Sequence, residues 1–346
     1  MAEARGRAGA SDAAQAHTAW AAVPKIELHL HLEGAAPVAL TQARMARAGL
    51  AAAPLDEAGG YGWDGFSAFL AAYDRVADLY AAPEGARALA EAVLTQCAAH
   101  GVIYAELIMA PLDAGAAHGP DAGAWAERLA AVEEGADAAE TACGVVCRLL
   151  PHVVRSYGPE ACARTAKMIA GVRTPRVVGF GIAGDERVGR PADFSRAFAI
   201  ARDAGLRLAA HAGEFGGPES VRGAVADLGV DRVAHGARAI EDPSLVALLA
   251  ERRTPLDVCP GSNVALGVYP GWAAHPAPAL RAAGCVVTLS TDDPPFFGTT
   301  MSREYAEAAA AWGWGEADFA AIARDSLDAA FCDAATRARL SARLPA

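Results

Sequence analysis

Four short clusters of polar residues carry the side chains of this sequence that are able to do chemistry. They are His29-Leu30-His31, His211-Ala212-Gly213-Glu214, His235-Gly236 and Asp292-Asp293. Imidazole and carboxylate groups bind metal ions such as Zn²⁺, and the same groups donate and accept protons near neutral pH. The combination therefore predicts hydrolysis by a water molecule that a single metal ion activates.

Three histidines form the core of the predicted metal site. His29 and His31 are two residues apart on a predicted strand, so both side chains point to the same side and can bind one ion. His211 is the third predicted ligand. Three histidines with one carboxylate suit Zn²⁺ or a similar ion and leave a position for water. His235 has two interpretations at this point: a further ligand, or a base that orients the water.

The carboxyl groups have predicted roles around this ion. Glu214 lies three residues beyond His211, where it can face a substrate and donate a proton to an aromatic ring nitrogen. Asp292 and Asp293 point in opposite directions on an extended chain, so one is predicted to bind the metal and the other to face the substrate. The structural alternative makes Glu214 a helix N-terminal charge and the two aspartates solvated turn residues.

Each polar cluster follows an apolar run that is predicted to form a buried strand. Eight such strands are predicted, at residues 25–29, 101–108, 144–150, 176–183, 206–211, 231–235, 255–259 and 284–290. Helical stretches separate most of them, at residues 86–99, 124–141, 159–170, 192–203, 218–228, 242–252 and 274–283. This alternation predicts a parallel sheet, and eight units can close into a (β/α)8 TIM barrel. An open doubly wound sheet is the alternative, but only a closed barrel brings clusters from four separate strands to one mouth.

The segment between the first two strands, residues 35–100, is long enough to hold an extra helical insertion. Spacings of three and four place five of its apolar and aromatic residues on one helix face: Phe66, Phe69, Tyr73, Val76 and Tyr80. This face either packs on the barrel or forms a lid over the pocket. In the second case Phe66 or Phe69 contacts an aromatic ligand.

Composition narrows the class of partner. The formal net charge of −11 disfavours a nucleic-acid partner, because such surfaces are basic, and a small-molecule ligand is predicted instead. Seven scattered cysteines predict a reduced, cytoplasmic setting, and no apolar stretch is long enough to span a membrane. Nothing in the sequence indicates a protein partner. Residues 1–20 are predicted to form a disordered leader, and residues 21–346 a single barrel domain.

Several motifs, in order and with matching spacing over about residues 22–330, resemble the adenosine deaminase family. They are PKIELHLHLEG (24–34), AGDE (183–186), HAGE (211–214), RVAHG (232–236), CPGSN (259–263) and STDDP (290–294). The resemblance implies a (β/α)8 barrel with one Zn²⁺ per chain. It also implies that adenosine, and 2′-deoxyadenosine, lose the 6-amino group as ammonia, so that adenosine yields inosine.

The resemblance assigns the roles that the residues alone left open. The implied zinc ligands are His29, His31, His211 and Asp292. Glu214 would protonate the purine N1, and His235 would hold and activate the hydroxide. Asp293 would contact N7, and the backbone N–H of Gly184 would contact N3.

Glu33 departs from the family pattern. Adenosine-specific members more often have Asp at this position, and in the family that residue reaches the ribose 5′-hydroxyl. A longer side chain could shift the sugar or favour another base. Adenosine deamination in purine salvage is therefore the main prediction. The alternative is another aminopurine, such as adenine or a 5′-modified adenosine like aminodeoxyfutalosine. A barrel that only binds nucleosides is disfavoured, because every chemical position is filled.

Overall fold

A computed structural model describes residues 19–111 and 119–345. Within these ranges, eight parallel strands pair with one another in chain order. They are β1 (Lys25–His31), β2 (Val102–Met109), β3 (Val146–Val154), β4 (Gly179–Ala183), β5 (Arg207–Ala212), β6 (Arg232–His235), β7 (Leu256–Val258) and β8 (Val287–Leu289). Each one overlaps a predicted strand. Most of the predicted leader, residues 1–18, lies outside the described residues, so that prediction and the single-domain assignment stay predictions.

The sheet closes on itself through the segment that follows β8. The His31 N–H donates to the Asp292 carbonyl oxygen over 3.0 Å, and the Asp292 N–H donates to the His29 carbonyl oxygen over 3.1 Å. These bonds join β1 to the chain just beyond β8. The (β/α)8 barrel is therefore confirmed, and the open sheet is excluded.

Fourteen α-helices in the described ranges surround or extend the barrel. They are α1 (Val38–Arg47), α2 (Phe66–Leu79), α3 (Pro83–Ala99), α4 (Ala122–Cys143), α5 (Pro159–Gly171), α6 (Ser195–Asp203), α7 (Pro218–Gly223), α8 (Pro243–Arg252), α9 (Pro260–Ala265), α10 (Ala277–Ala282), α11 (Pro294–Phe297), α12 (Met301–Trp312), α13 (Glu316–Ala329) and α14 (Ala334–Ser341). Many begin with proline, whose missing N–H costs nothing in a first turn. None is long and apolar enough to span a membrane.

The predicted insertion after β1 contains helices α1 to α3. Phe69 and Val76 of α2 are buried, whereas Phe66 and Tyr73 are only partly buried. The helix therefore packs on the barrel, and its aromatic side chains reach the mouth of the barrel.

A charged network that sequence analysis did not predict lies inside the barrel. Arg232 is buried and donates to Glu106 over 2.6 Å and to Asp257 over 2.7 Å. Its guanidinium lies 3.9 Å from the centre of the Phe331 ring. Both buried carboxylates thus share one buried cation as their ion-pair partner, so each charge in the group has a neighbour of opposite sign.

Candidate active site

The ends of β1, β5 and β8 bring the predicted metal ligands together. His31 Nε2 lies 3.3 Å from His29 Nε2 and 3.2 Å from His211 Nε2. Asp292 Oδ1 lies 3.2 Å from His29 Nε2 and 3.3 Å from His31 Nε2. Four ligand atoms from three separate elements therefore surround one point.

These separations fit a tetrahedral metal site. Ligand atoms about 2.0–2.1 Å from a central Zn²⁺ lie about 3.3–3.4 Å from one another. The imidazole of His211 is oriented from behind by a hydrogen bond between its Nδ1 and the Ile182 carbonyl oxygen over 2.9 Å. That bond leaves Nε2 free to face the ion, as is usual for histidine ligands. The buried histidine and aspartate groups could therefore hold a divalent ion.

His235 lies beside this set. The ligand atoms of His29, His211, His235 and Asp292 all fall within 4.8 Å of one another, so a ligand set that includes His235 is also possible. However, His235 Nε2 is 3.9 Å from Asp292 Oδ2 and 3.8 Å from Glu214 Oε2. The shorter separations favour the set with His31, and His235 lies beside that set. Burial, followed by the charge of His29, lowers the pKa of His235 to about 3, so its imidazole is neutral.

Two residues of the site have strained backbones. His235 has φ of 65° and Asp292 has φ of 68°, in the left-handed region that side chains other than glycine avoid. Ser262 Oγ donates to Asp292 Oδ2 over 2.7 Å and holds that carboxylate in place. Strain of this kind persists only where the surrounding structure enforces it, and it is concentrated at functional sites.

Glu214 and Asp293 are buried carboxyl groups next to the metal-ligand cluster. Burial raises the pKa of Glu214 well above its usual range, and the nearby charges of Asp292 and Glu186 raise it further. A carboxyl group kept neutral in this way can donate a proton. Burial and the charge of Asp292 likewise raise the pKa of Asp293. A Cβ atom on Gly34 would lie only 1.5 Å from Asp293 Oδ1, so this carboxyl group needs glycine opposite it.

A cavity of about 260 Å³ opens over these groups. Most of the predicted site residues line it: Phe66, Phe69, Gly184, Glu214, His31, His211, His235, Asp292 and Asp293. His29 is buried among the ligands beneath the cavity. Glu33 is not among the lining residues, because its side chain turns away towards Arg128.

Sequence analysis missed several residues of the site. His152 on β3 is buried against the cavity, and neither ring nitrogen has a hydrogen-bond partner among the described residues. Its ring centre lies 5.5 Å from that of His211. A lone histidine inside an apolar strand was the only local signal. Tyr73 and Arg128 were missed as partners of Glu33, and Glu186 belongs to the AGDE motif but had no predicted role.

The fold and the site define a class first: hydrolases that bind a metal ion at the carboxyl ends of barrel strands. The sequence model of the adenosine deaminase family matches residues 24–346. The chain belongs to the adenosine deaminase family and is a hydrolytic deaminase.

Relatives and solved structures agree with this assignment. Adenine deaminases of Agrobacterium fabrum and of a Chelativorans species are each 47% identical to this chain, over 321 and 320 residues. Both alignments cover 92% of this chain and 97% of the relative. An adenine deaminase structure from Arthrobacter aurescens has a TM-score of 0.84 at 28% identity, covering 92% of this chain and 97% of the other. An amidohydrolase from Burkholderia ambifaria with bound Zn has a TM-score of 0.84 at 31% identity, covering 94% and 91%.

Proposed function

We propose that this chain is a zinc-dependent adenine deaminase, which converts adenine and water to hypoxanthine and ammonia. Adenosine was the main prediction from the sequence, and adenine was its alternative. The two bacterial relatives at 47% identity are both named adenine deaminases, and they favour the alternative.

The position of Glu33 is the observation that carries the proposal. Its Oε1 accepts a hydrogen bond from Arg128 Nη2 over 2.5 Å, and its Oε2 accepts one from the Tyr73 hydroxyl over 3.3 Å. The side chain is only 2% exposed. Both carboxylate oxygens are thus engaged by protein groups, and Tyr73 rather than Glu33 faces the cavity.

This arrangement disfavours a ribose. The family resemblance places the ribose 5′-hydroxyl near position 33, where the Glu33 carboxylate is bound to Arg128 and Tyr73 and does not line the cavity. A buried hydroxyl without a partner costs about 1–3 kcal/mol. Since about 1.4 kcal/mol corresponds to a factor of ten, the nucleoside should be disfavoured about 5- to 150-fold. A free base has no such hydroxyl and avoids this cost.

The proposed chemistry assigns one role to each cavity group. A bound Zn²⁺ would be held by His29, His31, His211 and Asp292 and would make water a nucleophile near neutral pH. Glu214 donates its proton to ring N1 while water adds to C6, so negative charge does not build up on the ring. The neutral imidazole of His235 accepts the proton of the attacking water and passes it to the 6-amino group, so that the C6–N bond breaks and ammonia leaves. Asp293 and the backbone N–H of Gly184 orient the base through N7 and N3.

The decisive experiment compares adenine and adenosine as substrates of the zinc-loaded enzyme. Loss of the absorbance band of each compound gives kcat/KM, and a 5′-modified adenosine is measured alongside. We expect adenine to exceed adenosine by at least about fivefold, the lower limit of the cost of the unpaired hydroxyl. A higher kcat/KM for adenosine would refute the adenine assignment. The variant Glu214→Gln is the control, because it should lose turnover of every substrate alike.

A further inference from the structure

We propose that Glu186 is a positioning residue that holds the backbone of residues 213–216 and thereby aims the carboxyl group of Glu214 into the cavity. The inference rests on the proposed function, in which Glu214 is the proton donor. Glu186 follows β4 in the loop that contains Gly184, but it does not line the cavity itself. It therefore acts through Glu214 and not on the substrate.

The Glu186 carboxylate accepts hydrogen bonds from an unusually large number of donors in one loop. Its oxygens accept hydrogen bonds over 2.6–3.0 Å from four successive backbone N–H groups, those of Gly213, Glu214, Phe215 and Gly216. The hydroxyl of Ser220 donates to the same carboxylate. Glu186 is buried, so these bonds form with little competition from water.

The loop needs these bonds because it has no regular structure of its own. Residues 213–216 lie between β5 and α7 and are neither helix nor strand, so no ladder pairs their N–H groups. A buried N–H without a partner costs about 1–3 kcal/mol, and bonds to an ionised carboxylate are stronger than bonds to a neutral oxygen. One carboxylate thus satisfies four N–H groups and fixes the backbone on both sides of Glu214.

Two glycines of the loop, Gly213 and Gly216, allow its backbone to lie against this carboxylate. A Cβ atom on Gly216 would lie 2.4 Å from Glu186 Oε1, so a side chain there would displace the carboxylate. Gly213 has φ of 75°, a conformation that glycine adopts readily. A buried cation lies nearby: Arg155 donates to the His211 carbonyl oxygen over 2.6 Å, and its charge interacts with that of Glu186.

Glu186→Gln tests the proposal with a change of the same size. The new amide N–H₂ group faces backbone donors where an oxygen stood, so the loop loses part of its anchor. We expect kcat to fall about 10- to 100-fold, a part of the contribution usual for a general acid, with KM changed less than about threefold. Zinc content should stay the same as in the wild type. Glu219→Gln is the matched control, because Glu219 is exposed in α7 and should leave kcat unchanged.

A double-mutant cycle separates positioning from a general structural role. If Glu186 acts through Glu214, the variant with both Glu186→Gln and Glu214→Gln is no slower than Glu214→Gln alone. If the losses of kcat in the two single variants multiply in the double variant, the proposal is wrong. A Glu186→Gln variant with wild-type kcat would also overturn it. The substrate is whichever aminopurine the wild type hydrolyses. A preference for adenosine would refute the adenine proposal and leave this test intact.

Hydrogen exchange measures the positioning without any activity. Amides 213–216 should exchange at least about tenfold faster in Glu186→Gln than in the wild type, while β5 keeps its protection. Unchanged protection of these amides would overturn the proposal. If Glu186→Gln does not fold, Glu186→Asp and Ser220→Ala take its place. Each should lower kcat and the protection of the loop amides by a smaller factor. Wild-type kcat and protection in both variants would overturn the proposal.

Discussion

Replacing Arg128 with methionine should lower the free energy of unfolding by about 3–5 kcal/mol, because a buried carboxylate loses its counterion. The carboxylate is that of Glu33. The side chains of Arg128 and Glu33 are 5% and 2% exposed, and Arg128 Nη2 lies 2.5 Å from Glu33 Oε1. The same guanidinium donates to the Tyr80 carbonyl oxygen over 2.6 Å, so it also ties α4 to the end of α2. Methionine retains the apolar stem and removes only the charge and the donors.

The magnitude follows from these contacts. A hydrogen bond between charged groups contributes about 1.5–3 kcal/mol, and the bond to Tyr80 about 1 kcal/mol more. The uncompensated burial of Glu33 accounts for the upper part of the range. The double variant with Glu33→Gln and Arg128→Met leaves no buried charge. It should therefore be more stable than Arg128→Met alone, by at least about 1 kcal/mol.

Urea unfolding of the zinc-loaded proteins measures both differences, with the zinc concentration held constant because bound ligand adds stability. A loss below about 1 kcal/mol in Arg128→Met would refute the reasoning. So would a double variant less stable than Arg128→Met. Arg128→Met also frees one oxygen of Glu33, so the ratio of kcat/KM for adenosine to that for adenine should rise. An unchanged ratio would show that the Arg128–Glu33 pair does not influence the choice between adenosine and adenine.

Three further predictions concern the site and its surroundings. His235→Ala should keep one metal ion per chain and lose kcat about 10²- to 10⁴-fold; loss of the metal in elemental analysis would make His235 a ligand instead. Gly34→Ala should displace the Asp293 carboxyl group and raise KM for the base. An unchanged KM would show that Asp293 does not contribute to substrate binding. Burial raises the pKa of Glu304 from 4.5 to about 8, so the folded protein keeps a proton that the unfolded chain releases. The wild type should therefore lose stability relative to Glu304→Gln as pH rises from about 4.5 to 8, and a difference independent of pH in urea unfolding would contradict this.

Local pattern was enough to predict the strands and the residues at their ends. A buried strand needs a continuous apolar run, and side chains two apart on a strand share a side. His29 and His31 met both conditions, and their Nε2 atoms lie 3.3 Å apart in the structure. The helical insertion was predicted in the same way, because residues three and four apart share a helix face. The predicted and observed boundaries differ by a few residues, since the last residues of a helix or strand depend on contacts with neighbouring elements.

The tertiary structure alone decided which distant groups pair. Arg128 is 95 residues from Glu33, and the carboxylate of Glu186 reaches a loop 27–30 residues further along the chain. Such pairs depend on strand register and on how the insertion packs, and neither is encoded in local periodicity. For Asp292 and Asp293, an extended chain predicts only opposite directions, and it was the family resemblance that indicated Asp292 as the ligand; in the structure Asp292 Oδ1 lies 3.2 Å from His29 Nε2. The sequence by itself therefore determined which chemical groups reach the barrel mouth, and the tertiary structure determined their partners, because hydrogen bonds and charges act over a few ångströms in space whatever the distance along the chain.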